Sequence, residues 1–88
     1  MLRITAIPGQ RLTTINLEGK LLKAWLAEVQ VAVTAAQSTD IVRLNLQELH
    51  YADAEGIELL GALRRGGIEL VGPSPFIAQL LAAADEPR

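Results

Sequence analysis

The residues best suited to chemistry lie between positions 48 and 58, where four carboxylates accompany the only histidine of the chain: Glu48, His50, Asp53, Glu55 and Glu58. A histidine beside carboxylates could serve as a general acid–base pair or contribute to a metal site. Such sites need further companions, and glycoside hydrolysis needs two carboxylates that face each other across a cleft. Because Glu55 and Glu58 share one face of a predicted helix, the sequence predicts no catalytic residue and no metal site.

Nucleophilic and phosphate-binding chemistry also lack their usual patterns. The hydroxyls of Thr13-Thr14 and Ser38-Thr39 fall in a predicted strand and a predicted turn, with no histidine–acid pair in view. The glycines at 66, 67 and 72 have no phosphate-loop spacing. The absence of cysteine excludes disulfides and thiolate metal sites. We therefore expect no cofactor, and a small nucleotide-binding protein or enzyme is kept only as a second alternative.

Length and composition indicate one small globular domain, residues 1–88. Half of the 88 residues are hydrophobic and only 3% are aromatic, so the core must be aliphatic. The net charge of −2 argues against nonspecific nucleic-acid binding, which requires a basic face. No stretch approaches the roughly 20 apolar residues of a membrane span. We expect a soluble, cytoplasmic protein whose residues 85–88 form a disordered tail.

The spacing of apolar residues predicts four strands and three helices in the order β-β-α-β-α-β-α. The predicted strands are residues 2–7, 12–17, 41–46 and 68–71, and the predicted helices are 21–37, 54–65 and 75–84. In the third strand apolar residues alternate with Arg43 and Asn45, which is typical of a sheet with one partly exposed face. The sequence therefore predicts a two-layer α/β fold, a four-stranded mixed sheet with helices mainly on one face.

The junction between the third strand and the second helix places polar residues at the surface. Asp53 directly precedes the helix, where its carboxylate can cap free backbone amides. Glu55 falls in the first turn, where the helix dipole favours a negative charge. Tyr51 is predicted to pack beneath the preceding loop. Ser74-Pro75 has the residue types of a helix N-cap and first helical position.

The element order and three motifs resemble the STAS domain, the module of bacterial anti-sigma factor antagonists and of the cytoplasmic tails of sulfate transporters. The matching segments are Leu44-Asn45-Leu46, Asp53-Ala54-Glu55-Gly56-Ile57 and Leu70-Val71-Gly72-Pro73-Ser74-Pro75. In switch proteins of that family, the residue after the motif Asp is a Ser or Thr that a partner kinase phosphorylates. Ala54 stands at that position, which predicts no phosphorylation there. Glu55 is either an ordinary first-turn residue or a permanent imitation of the phosphate.

The resemblance implies a non-enzymatic protein–protein interaction module that serves signalling and transcription regulation in the bacterial cytoplasm. It implies a contact surface formed by the 47–53 loop and the exposed face of the second helix. The predicted partner-binding residues are Asp53, Ala54, Glu55, Gly56, Glu58 and His50, with Gly56 allowing a partner's backbone to approach. The partner would be a kinase-like anti-sigma factor or another regulatory protein.

A second hypothesis assigns the same domain a different function. Small stand-alone members of the family resemble accessory subunits of ABC-type transport systems, and the partner would then be the transporter ATPase. Under either reading we expect no nucleic-acid binding, no membrane insertion, and a monomer or weak homodimer.

Overall fold

The computed structural model describes residues 1–84; the predicted tail, residues 85–88, lies outside the described part. This part of the chain contains five strands and three α-helices. The strands are β1 Leu2–Pro8, β2 Leu12–Leu21, β3 Ile41–Asn45, β4 Leu49–Ala52 and β5 Glu69–Val71. The helices are α1 Leu26–Gln37, α2 Ala54–Arg65 and α3 Pro75–Ala84, and a 3₁₀ turn, Lys23–Trp25, precedes α1.

The long strand β2 organises the sheet. On one side it pairs antiparallel with β1 through the predicted hairpin. On the other side it takes two parallel partners in succession, β3 along residues 12–16 and β4 along residues 19–21. Strand β5 then pairs in parallel with β3. The predicted α/β fold class and its mixed sheet are confirmed.

The sheet has one strand more than the sequence predicts. Residues 49–52, predicted as loop, form β4 because β2 continues to Leu21 instead of ending at Leu17 and so offers them a free edge. Gly19, which is typical of a strand end, adopts a φ of 102° at a shift in the strand register. A bulge of this kind bends a strand without ending it. Because β2 continues to Leu21, α1 begins at Leu26 and not at residue 21 as predicted.

The two faces of the sheet differ as the alternation in β3 predicts. Ile15, Leu17 and Leu44 are fully buried beneath the helices. The opposite face carries Arg43, whose Nε donates to Glu69 Oε1 at 2.8 Å across the β3–β5 pair. Polar residues on that face explain why helices cover only one side.

Each helix contributes buried aliphatic side chains to the core. They are Val29 and Val33 from α1, Ile57, Leu59 and Leu60 from α2, and Ile77 and Leu81 from α3. Ser74 Oγ accepts the amide hydrogen of Ile77 at 3.2 Å, which confirms the predicted N-cap of α3. No helix within residues 1–84 is long and apolar enough to cross a membrane.

The difference between the two sheet faces can be tested by truncating one residue on each. Leu44→Ala is expected to lower the free energy of unfolding by about 2–5 kcal/mol, because it opens a cavity in the core. Arg43→Ala is expected to cost less than about 1 kcal/mol, since it removes only an exposed ion pair. Urea unfolding followed by the fluorescence of Trp25 measures both. Equal losses would contradict a sheet that is covered on one face only.

Candidate functional site

Asp53 holds the junction between β4 and α2 with both carboxylate oxygens. Its Oδ1 accepts the amide hydrogen of Gly56 at 2.8 Å, which confirms the predicted N-cap. Its Oδ2 accepts the amide hydrogen of Lys23 at 2.8 Å, at the start of the 3₁₀ turn. Its own amide donates to the carbonyl oxygen of Leu21 at 3.1 Å. One residue therefore ties the beginning of α2 to the end of β2.

Gly56 lies against the same end of β2. A Cβ atom at this position would be 2.7 Å from the carbonyl oxygen of Leu21 and 3.2 Å from Asp53 Oδ1. The residue is buried. The sequence predicts that Gly56 admits a partner's backbone, whereas the close approach in the structure is to Leu21 of the same chain. The absence of a side chain at Gly56 therefore allows α2 to pack closely against the end of β2.

The remaining predicted partner-binding residues are exposed. Ala54, Glu55 and Glu58 lie on the outer side of α2, and His50 lies on β4. The His50 Nε2 is 3.8 Å from Glu48 Oε2, and both side chains are largely exposed to solvent. Asp53 is half-buried, because its oxygens are used inside the chain. Glu55, Glu58 and His50 are thus the polar or charged members of this set whose side chains are exposed at the surface.

Glu58 lies on the crest of α2, between two shallow hollows. One hollow separates α2 from α1 and includes Glu55 and Ala62 in its lining. The other separates α2 from α3 and includes Ala54. Within residues 1–84, no three His, Cys, Asp or Glu side chains are grouped so that they could hold a metal ion. Charged and apolar surface therefore lie next to each other along the exposed side of α2.

An exposed aromatic pair beside the junction is not predicted from the sequence. Tyr51 is 43% exposed instead of packed beneath the loop, and its ring stacks on Phe76 of α3 with 6.1 Å between ring centroids. Phe76 is itself 47% exposed. The sequence alone does indicate that Phe76 is exposed, because it lies outside the apolar stripe of the third helix. The contact with Tyr51 needs the tertiary fold, since it joins residues far apart in the chain.

Comparison with known proteins identifies the fold. No protein-family model matches the chain, and no curated protein matches its sequence. Among solved structures, the anti-sigma factor antagonist SpoIIAA in its unphosphorylated form superposes with a TM-score of 0.67 at 21% identity, over 93% of this chain and 82% of that one. The phosphorylated form of this Bacillus cell fate determinant gives 0.68 at 19% identity, over 97% and 84%.

A third solved structure, the STAS domain of an antisigma-factor antagonist from Rhodobacter sphaeroides, gives a TM-score of 0.59 at 21% identity, over 78% of this chain and 82% of that one. Together these likenesses confirm the resemblance read from the motifs. The chain has the SpoIIAA-like STAS fold, and the Asp53–Ile57 motif lies at the start of its second α-helix.

Removing the Asp53 carboxylate tests its double role. Asp53→Ala is expected to lower the free energy of unfolding by about 1–3 kcal/mol, because it removes an N-cap and a second charge-assisted hydrogen bond. Asp53→Asn should lose about half as much, since one amide oxygen can keep one of the two bonds. Chemical denaturation measures both variants. Wild-type stability in Asp53→Ala would show that the two bonds do not hold the junction.

The close approach at Gly56 gives a separate prediction. Gly56→Ala is expected to destabilise the protein by about 1–3 kcal/mol, because the added methyl group overlaps the Leu21 carbonyl oxygen. Gly66→Ala is the matched control: its φ is −80°, and its Cβ would lie 3.4 Å from the nearest heavy atom. That variant should stay within about 0.5 kcal/mol of wild type. Equal effects of the two changes in thermal denaturation would contradict a specific contact at Gly56.

Proposed function

We propose that this chain is a non-enzymatic protein-interaction module of the anti-sigma factor antagonist type. It binds a regulatory protein partner through the surface of residues 47–65, which comprises β4, the junction and the exposed side of α2. It does so in the cytoplasm and without phosphorylation at the junction. The SpoIIAA-like fold supports the class of module, because the similar solved structures are anti-sigma factor antagonists.

The observation that carries the proposal is the geometry at Asp53. The two hydrogen bonds from its carboxylate and the packing of Gly56 on Leu21 hold the start of α2 in one position. Ala54 and Glu55 follow directly and face solvent. A surface that is rigid before binding loses less conformational entropy when a partner docks. Such a junction therefore suits recognition.

Constitutive binding is favoured over a phosphorylation switch. SpoIIAA has been solved in phosphorylated and unphosphorylated forms. Here Ala54 follows the motif Asp and has no hydroxyl to accept a phosphoryl group. Glu55 places a permanent carboxylate in the first turn of α2. A carboxylate carries about half the charge of a phosphate group at neutral pH, so Glu55 can supply a constant negative charge to a partner.

Catalysis is a weaker interpretation of the same residues. His50 Nε2 lies 3.8 Å from Glu48 Oε2, and the two side chains are 71% and 66% exposed. General acid–base catalysis needs the group positioned against a bound substrate. Two largely exposed side chains on an open surface do not provide that position, which supports a binding role.

The proposal predicts that charge reversal on α2 abolishes partner capture. The double variant Glu55→Lys/Glu58→Lys, immobilised and exposed to a lysate of the source cells, should retain less than about one tenth of the partner that wild type retains, as expected for loss of polar contacts at an interface. Glu28→Lys is the control for charge reversal on another helix, since Glu28 is also exposed and also in the first turn of its helix. Quantitative mass spectrometry of the bound proteins gives the readout.

Two results would count against the proposal: unchanged capture by the double variant, or equal loss in Glu28→Lys. Circular dichroism of each variant controls for unfolding. The identity of the captured protein also separates the two roles expected from the family resemblance. A kinase-like anti-sigma factor would support an antagonist, whereas a transporter ATPase would support an accessory transport subunit.

A further inference from the structure

We propose that the partner inserts an amphipathic helix with a basic face into the groove between α2 and α3. This inference rests on the proposed function and names the partner's chemistry at the same surface. The α2–α3 groove consists of two adjoining hollows of about 400 and 410 Å³. Both hollows are lined by Ala54, Ile57 and Ala84, so they form one continuous depression.

The end of the groove nearest β4 is an apolar anchor site. Tyr51, Phe76 and Leu80 line it, and the two aromatic rings stack on each other. Nearly half of the surface of each residue is exposed. Exposed aromatic side chains in a hollow are typical of the residues that carry most of the binding energy at protein interfaces. The anchor site is therefore expected to receive an aliphatic or aromatic side chain of the partner.

The construction of the groove favours a helix over an extended strand. An extended peptide binds mainly through backbone hydrogen bonds to a free sheet edge. Two α-helices form the long walls here, with β4 at one end, and the backbone groups of the helices are bonded within each helix. A partner helix satisfies its own backbone and needs only side-chain packing. Small residues at Ala54, Gly61 and Ala84 allow it to lie close.

The charge of the groove favours a basic partner. Asp53 lines the anchor end, and Glu58 lines the second hollow. Glu55 lies in the same first turn of α2 but lines the hollow on the α1 side of that helix. Arg65 lines the far end of the groove. Lys or Arg side chains that flank the partner's apolar anchor would therefore meet the Glu58 carboxylate and the negative charge of Asp53, and complementary charges of this kind fix orientation.

Ala54 has a defined place in this arrangement. It lines both hollows, so a substituent on its Cβ projects where they join. A phosphorylated Ser or Thr there would place a bulky phosphate group in the middle of the groove, where it would block the partner helix. Alanine keeps the groove continuous, and its absence of a hydroxyl thus contributes to binding as well as removing a switch.

The absence of cysteine provides a direct test, because an introduced cysteine is a unique attachment point. Three matched variants, Ala84→Cys, Ala62→Cys and Ala35→Cys, each replace an exposed alanine. Ala84 lines the α2–α3 groove, Ala62 lines the hollow between α1 and α2, and Ala35 lies on α1. Each variant of the 88-residue chain is labelled with a benzophenone maleimide, mixed with a lysate of the source cells and irradiated. Crosslinked peptides are then sequenced by mass spectrometry.

The inference is supported if the label at position 84 crosslinks at least tenfold more of one protein than the label at position 35, within a segment of helical periodicity that carries Lys or Arg. It is overturned if that segment is acidic or lacks helical periodicity. It is also overturned, with the proposed function intact, if only the label at position 62 crosslinks above the control. If neither label exceeds the control, both proposals fail.

Affinity measurements with the crosslinked segment, made as a synthetic peptide, complete the test. Phe76→Ala and Ala54→Lys should each weaken binding at least tenfold in calorimetry. Val31→Ala, which removes exposed apolar surface from α1, should leave the affinity within twofold of wild type. Unchanged affinity in Phe76→Ala and Ala54→Lys would place the binding site elsewhere and overturn the inference.

Discussion

The junction at Asp53 is the constraint on which the surface depends. One carboxylate bonds two backbone amides, at Gly56 in α2 and at Lys23 in the 3₁₀ turn before α1. The absence of a side chain at Gly56 lets α2 approach the Leu21 carbonyl oxygen. Because these contacts meet at the end of β2, they set the start of α2 relative to the sheet. The exposed residues that follow in α2 are therefore also held in a fixed position relative to the sheet.

The length of β2 determines where β4 lies and, through β4, where Tyr51 lies. Its bulge at Gly19 lets it continue to Leu21, where it pairs with β4. Strand β4 then carries Tyr51 to the edge of α3, where it stacks on Phe76. A β2 that ended earlier would leave residues 49–52 as loop, without a fixed place for the tyrosine. The apolar and acidic parts of the surface thus depend on one strand extension.

In the proposed function, the same surface binds a partner without a phosphorylation switch. In the proposed mode, the carboxylates of Glu55 and Glu58 give constant charge, and Ala54 gives a groove floor that no kinase can modify. A partner with basic residues and an apolar anchor would meet all of these in one helix. Control of such a complex would then come from the amount or the state of the partner, since the junction has no hydroxyl at the motif position.

The sequence by itself determined the α/β class, the helix N-caps at Asp53 and Ser74, and the sheet with one open face, because these follow from local hydrogen bonding and from the alternation of side chains along β3. Only the tertiary structure decided that Leu49–Ala52 is a strand, since its partner is an edge that β2 exposes by continuing past Gly19. It also decided that Gly56 packs on Leu21 and that Tyr51 meets Phe76. These contacts join residues distant in sequence, and spacing along a chain carries no information about which distant surfaces come together when the helices pack on the sheet.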